Sequence, residues 1–219
     1  MNLRTMSPLA LAFSVFSRSA LAGIVSTTGA VEVVTPPADV RLGAFENDSA
    51  VRAFVEKQGH TLSTNLAADI TVPGTSPLPG NLANLNLSPG TLLSGTIVDS
   101  FYLHFDPTGP SDRLEGSLLF DRDVLGLMTL TDALTGSHGE LGVAGTIYGS
   151  GPLEHAHPDF PDFITLSDDR RMVSFSINAG MGHDSIRIVT SAVPEPGSAL
   201  LLGLGGATLL AARRRRRTD

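Results

Sequence analysis

From Gly95 to Asp106 the chain alternates two faces with a period of two. Ile97, Phe101, Leu103 and Phe105 point one way, with Asp99 interrupting them, while Val98, Ser100, Tyr102, His104 and Asp106 point the other. The pattern returns where Leu114, Gly116, Leu118 and Phe120 alternate with Glu115, Ser117 and Asp121. It returns again where Val173, Phe175, Ile177 and Ala179 alternate with Ser174, Ser176 and Asn178, and where Ile186 and Ile188 flank Arg187. Successive side chains of an extended strand face opposite ways, so this period selects β-strand over helix. Turn-forming clusters separate the runs: Ser88-Pro89-Gly90, Asp106-Pro107-Thr108-Gly109-Pro110, Gly149-Ser150-Gly151-Pro152 and residues 178–182. Half-polar strands joined by turns pair as antiparallel sheets and bury their apolar faces on one another. The expected fold is mostly β, an antiparallel β-sandwich of jelly-roll-like type.

Other segments are less regular. Ser49 to Gln58 fits a short helix or a strand through Val51, Ala53 and Val55, and its valines favour the strand. A helical turn is expected near Thr131 to Leu134 with Thr131 as its cap. Residues 73–89, rich in Pro, Gly and Asn, read as a long surface loop. No convincing internal repeat is found, which argues against a solenoid or propeller, and residues 23–192 are read as one body.

Charge limits the partners of that body. Between residues 23 and 192 there are 8 Lys+Arg against 20 Asp+Glu, a net of −12. Nucleic-acid phosphates require clustered cations, so nucleic acid is not an expected partner. Divalent cations suit an acidic surface. His104 and Asp106 share a strand face, and Asp121 and Asp123 follow another strand. If the strands pair, these four are candidate ligands for calcium, a cation that prefers oxygen donors. The run from Asp121 to Asp132 fails as an EF-hand loop, since Leu125 occupies a ligand position and Asp132 replaces the bidentate Glu. The alternative role for these aspartates is turn capping. His155 and His157, with Asp159 and Asp162 nearby, offer ligand types in a proline-rich loop, without a defined third ligand. His60, His138 and His183 are isolated in sequence and receive no role. The chain has no cysteine and no G-x-S-x-G elbow or P-loop, so no catalytic residue is assigned.

The two ends carry addresses. Arg4, an apolar run from Pro8 to Phe16, and Ala20 and Ala22 at the −3 and −1 positions before Gly23 make residues 1–22 a secretory signal peptide. At the other end, residues 193–197 hold Pro194-Glu195-Pro196, residues 198–212 are uncharged and apolar, and Arg213, Arg214, Arg215, Arg216 and Arg217 follow without a break. A helix of that apolar length reaches about 22 Å, against a hydrocarbon core of about 30 Å. It is a marginal transmembrane span, and the arginines act as its stop-transfer charge on the cytoplasmic side.

Residues 193–217 resemble the PEP-CTERM sorting signal of Gram-negative envelope proteins, a tail also described as an ice-binding-protein C-terminal domain. The resemblance implies that an exosortase-like enzyme recognises Pro194, Glu195 and Pro196. It implies an inner-membrane-anchored precursor, transiently held, then an outer-surface or extracellular-matrix location linked to exopolysaccharide and biofilm. Gly95 to Pro107, Phe120 to Gly126 and Ile186 to Ile188 are similar to segments of other PEP-CTERM proteins whose bodies have no known function. The expected role is a non-enzymatic envelope or matrix protein. A carbohydrate-binding, lectin-like module is the alternative, weakened by the absence of tryptophan, and a secreted hydrolase is a lesser one.

Overall fold

The computed structural model describes residues 23–78, 87–109, 113–149, 162–179 and 182–192. Strand dominates, as the period-two runs require. The strands are β1 (Ile24–Gly29), β2 (Val31–Val33), β3 (Val51–Thr61), β4 (Leu66–Ala68), β5 (Gly74–Leu78), β6 (Gly90–Leu92), β7 (Ile97–Phe105), β8 (Leu114–Phe120), β9 (Val124–Met128), β10 (Asp162–Leu166), β11 (Met172–Ile177) and β12 (Asp184–Ser191). The described helix is α1 (Thr131–Leu141).

Two five-stranded sheets organise these strands. The first runs β1-β8-β11-β10-β5 and the second β2-β3-β7-β12-β9, with β4 and β6 as a separate pair. The first sheet is antiparallel throughout. In the second, β2 lies parallel to β3, a departure from the all-antiparallel expectation. The chain between them, residues 34–50, is long enough for the crossover that parallel pairing needs. Gly29 sits where the chain leaves the first sheet for the second. Its φ is +70°, and a Cβ there would stand 2.3 Å from the Glu115 carbonyl oxygen, so only glycine fits.

One apolar cluster draws on both sheets: Phe101, Leu103 and Phe105 of β7 and Ile186 and Ile188 of β12 meet Leu118, Phe120, Val173 and Phe175 of the first sheet. A second cluster covers the opposite face of the second sheet. There Phe54, Val98, Tyr102, Met128 and Val189 pack under α1, β4, β6 and Val40. The second sheet is therefore buried on both faces, and the polar face read from alternation in β7 does not meet water. His104, Asp106 and Arg187 are all buried.

Three local expectations resolve. Ser49 to Gln58 contains the start of β3, a strand. The turn at Thr131 is a full helix, and its cap is elsewhere: the Leu130 position has no side-chain cap bond, while the Asp69 carboxylate accepts from the amides of Thr129 (2.7 Å) and Leu130 (2.9 Å). Part of the anticipated loop is β5, which takes the edge of the first sheet beside β10. An edge tolerates Pro77, because one side of the strand needs no ladder donor. Residues 79–86 of that stretch, the signal peptide with Ala20 and Ala22, the His155/His157 segment, and residues 193–219 lie outside the described residues.

Candidate functional site

The outer face of the first sheet carries an ordered set of hydroxyls. Register places Thr28 of β1 opposite Ser117 of β8, Ser117 opposite Ser174 of β11, Ser174 opposite Thr165 of β10, and Thr165 opposite Thr75 of β5. One row thus crosses all five strands at right angles to them. Within it Thr28 Oγ1 and Ser117 Oγ are 2.7 Å apart and Thr75 Oγ1 and Thr165 Oγ1 2.9 Å, each a hydrogen bond. Beside the row, Ser176 Oγ donates to Glu115 Oε1 (3.2 Å), and Arg113 Nη1 donates to Ser176 Oγ (3.0 Å). Phe163, 39% exposed, borders the same side. Of these residues, all but Thr75 and Arg113 line a groove of about 420 Å³, within the range of small-molecule sites.

The four calcium candidates are not brought together. His104 and Asp106 stand at one end of β7, where Phe105 pairs with Asp184. Asp121 and Asp123 lie at the other end: the Asp121 amide bonds to Gly23, and Ser191, which pairs with Val98, donates to the Asp123 carbonyl. Asp121 also acts electrostatically on Asp99. Roughly 23 Å of strand separates Asp99 from Asp106, so the four are not one ligand set. The strand pairing on which that set was conditional does not occur, since β7 and β8 belong to different sheets. Among the described residues no three His, Cys, Asp or Glu side chains are grouped to hold a metal ion.

Instead, His104 and Asp106 anchor the crossover segment. His104 Nδ1 lies 3.3 Å from Ser185 Oγ, and its Nε2 lies 3.8 Å from Asp106 Oδ2. Asp106 accepts from the Gly43 amide (2.8 Å), and its carbonyl accepts from Asn47 (2.7 Å). Burial alone would raise the Asp106 carboxyl, but the neighbouring His104 and the Gly43 amide hold it below the usual carboxylate range. Three histidines that look isolated in sequence have neighbours here. His183 packs its ring 5.0 Å from that of His104, His60 pairs with Glu140 at 2.9 Å, and His138 Nδ1 meets Arg187 Nη2 at 3.1 Å.

Beneath α1 sits the most tightly bonded polar group. Arg187 Nε donates to Glu56 Oε2 (2.6 Å) and Nη2 to Oε1 (2.8 Å), a bidentate pair with neither side chain exposed. Ser100 Oγ (2.7 Å) and Tyr148 Oη (2.6 Å) also donate to that carboxylate. Arg187 Nη1 reaches the Leu134 carbonyl (3.1 Å) and Ser137 Oγ of α1. Tyr102, beside the guanidinium, is pushed up to about 12 by burial, and burial and the Glu56 charge raise Tyr148 as well. These groups bond to one another and to α1, and so hold that helix to the sheet.

The last described strand leads directly into the tail. Ala192 donates its amide to Ile97 (3.1 Å), and residues 192–217 match the PEP-CTERM protein-sorting motif. The chain carries that sorting motif. A PEP-CTERM motif marks an exported, membrane-passing precursor of the Gram-negative cell envelope, processed by an exosortase-type sorting enzyme. It begins where β12 ends, so the body and the sorting segment meet at the Ile97 end of the second sheet. Comparison with curated proteins and with solved structures gives no match. No helix among the described residues is long and apolar enough to cross a membrane, and the apolar run at 198–212 lies outside them.

Proposed function

We propose that this protein is a non-enzymatic component of the outer surface or extracellular matrix, with exopolysaccharide as its partner there and biofilm as its setting. The PEP-CTERM motif at residues 192–217 carries the reading. Residues 198–212 hold the precursor in the inner membrane with Arg213 to Arg217 on the cytoplasmic side, until an exosortase-like enzyme acts at Pro194-Glu195-Pro196. The two prolines fix φ near −65° and give no amide donors, which keeps Glu195 out of the following helix and presented outside the bilayer. The body is a jelly-roll-like sandwich released by that step. A lectin-like role is the second reading, favoured by the hydroxyl-lined groove. The hydrolase reading gains less, because among the described lining residues there is a single carboxylate, Glu115, whereas glycoside hydrolysis generally uses a pair.

Cell fractionation with antibodies to the body and to residues 198–219 tests the delivery step. Wild-type protein should reach the outer surface or medium without its tail. Glu195→Ala should leave full-length protein in the inner membrane with its arginines. Wild-type protein that keeps the tail at its final location would make the segment a plain anchor.

A further inference from the structure

The row Thr28–Ser117–Ser174–Thr165–Thr75 belongs to no motif and to neither core. We infer that this row and the groove around it bind a neutral polysaccharide chain laid across the strands, an inference that rests on the surface or matrix location proposed above. Strand spacing sets the scale: neighbouring strands lie about 4.8 Å apart, so five hydroxyl positions span roughly 19 Å. A site of that length and direction fits a linear polymer better than a compact metabolite. Each hydroxyl offers one donor and two acceptor positions, the same inventory that a sugar hydroxyl presents. The two hydroxyl pairs at the ends of the row are already bonded to each other, which fixes their orientation and leaves acceptor positions for a ligand. Ser174 stands between the two pairs.

Charge chooses the class of polymer. Among the described residues the lining of the groove includes no Lys or Arg, and so no cluster of cations for sulfate, phosphate or uronate groups, which are held by arginine forks. Phe163 supplies an exposed apolar ring at the groove's border, where the C–H face of a sugar can pack. A second copy of the chain is a poorer occupant. The row is polar, whereas lasting self-association buries an apolar patch. Hydrogen bonds exchanged with water are individually weak, so affinity comes from repeated contacts along one polymer.

Affinity electrophoresis and calorimetry of the exported, mature protein test this with laminarin and hydroxyethyl cellulose as neutral glucans, galactomannan as a second neutral polymer, and alginate as the acidic comparator. At least one neutral polymer should bind. Ser174→Ala and Thr165→Val should each weaken it about fivefold, as loss of one hydrogen bond does, and Phe163→Ala about tenfold. Melting temperature and cell location should stay as in wild type. Absence of binding to all three neutral polymers overturns the inference, as does binding that survives the Ser174/Thr165 double variant or is stronger to alginate. Correct location without binding overturns the groove alone. Retention of the tail at the final location overturns the delivery reading instead.

Discussion

At the scale of single residues, Glu56 and Arg187 are the costliest pair to separate. Both are apolar-face intruders whose charges are removed from water, and each satisfies the other through two bonds. Burial opposes the Arg187 charge, yet Glu56 keeps it raised above its ordinary value. Removing one partner of such a pair strands the other, at about 3–5 kcal/mol, while replacing both by apolar groups avoids that penalty. Glu56→Gln should therefore lower the urea-unfolding free energy by about 3 kcal/mol. Glu56→Leu with Arg187→Met should recover part of the loss, since Tyr148 and Ser100 still lose their acceptor. A Glu56→Gln variant as stable as wild type would refute the assignment. None of this is legible in sequence. Arg187 between two isoleucines reads as the solvent side of a strand, and it is buried only because α1 arrives from elsewhere. Glu56 also lies at a bulge, where Val55 pairs with Phe101 but Lys57 with Ser100.

Among the elements, α1 depends most on its surroundings. Its sequence includes Gly136 and Gly139, each about 1 kcal/mol poorer than alanine in a helix interior. Side chains from other elements compensate: Asp69 at its start, Arg187 at its middle, and Ser63 and His60 at its end. Glu140 accepts from the Ser63 amide and hydroxyl (2.6 Å each) and meets His60 (2.9 Å). Ser63's two bonds, then His60, lower its pKa from 4.5 to about 2. The carboxylate's contribution is thus complete above about pH 4.5 and disappears as pH falls towards 2. Thermal unfolding should show Glu140→Gln less stable than wild type by about 1 kcal/mol at pH 7, with the gap closing near pH 2. A pH-independent gap would assign the effect to packing.

On the scale of the whole molecule, the two sheets are joined by more than apolar contact. Arg170, in the turn between β10 and β11, has φ +58° and sends its guanidinium to the carbonyls of Val124 (3.0 Å) and Leu125 (3.3 Å) in β9 and of Thr71 (2.9 Å). The left-handed backbone costs about 1 kcal/mol, and the three bonds, two of them across to β9 of the second sheet, offset it. Arg170→Ala should keep the strain and lose the bonds, destabilising the fold by about 2 kcal/mol in urea. Arg170→Gly should be about 1 kcal/mol less harmful, because glycine accepts that φ. Equal losses in the two variants would show that the backbone is unstrained.

Some of the design follows from the chain alone. Period-two alternation selects strands because side-chain direction in an extended backbone is a local property, and the polar set Glu115, Ser117, Ser174 and Ser176 was readable from it. The sorting motif is likewise legible, since an address read by an enzyme and a bilayer is written in consecutive residues. Tertiary structure decided everything that depends on which strands become neighbours. It split His104 and Asp106 from Asp121 and Asp123 by placing the two pairs at opposite ends of β7. It buried the second polar face by folding α1 and the crossover segment over it. It also aligned Thr28, Ser117, Ser174, Thr165 and Thr75 into one row, because register is fixed by pairing between residues far apart in the chain, and no local pattern encodes it.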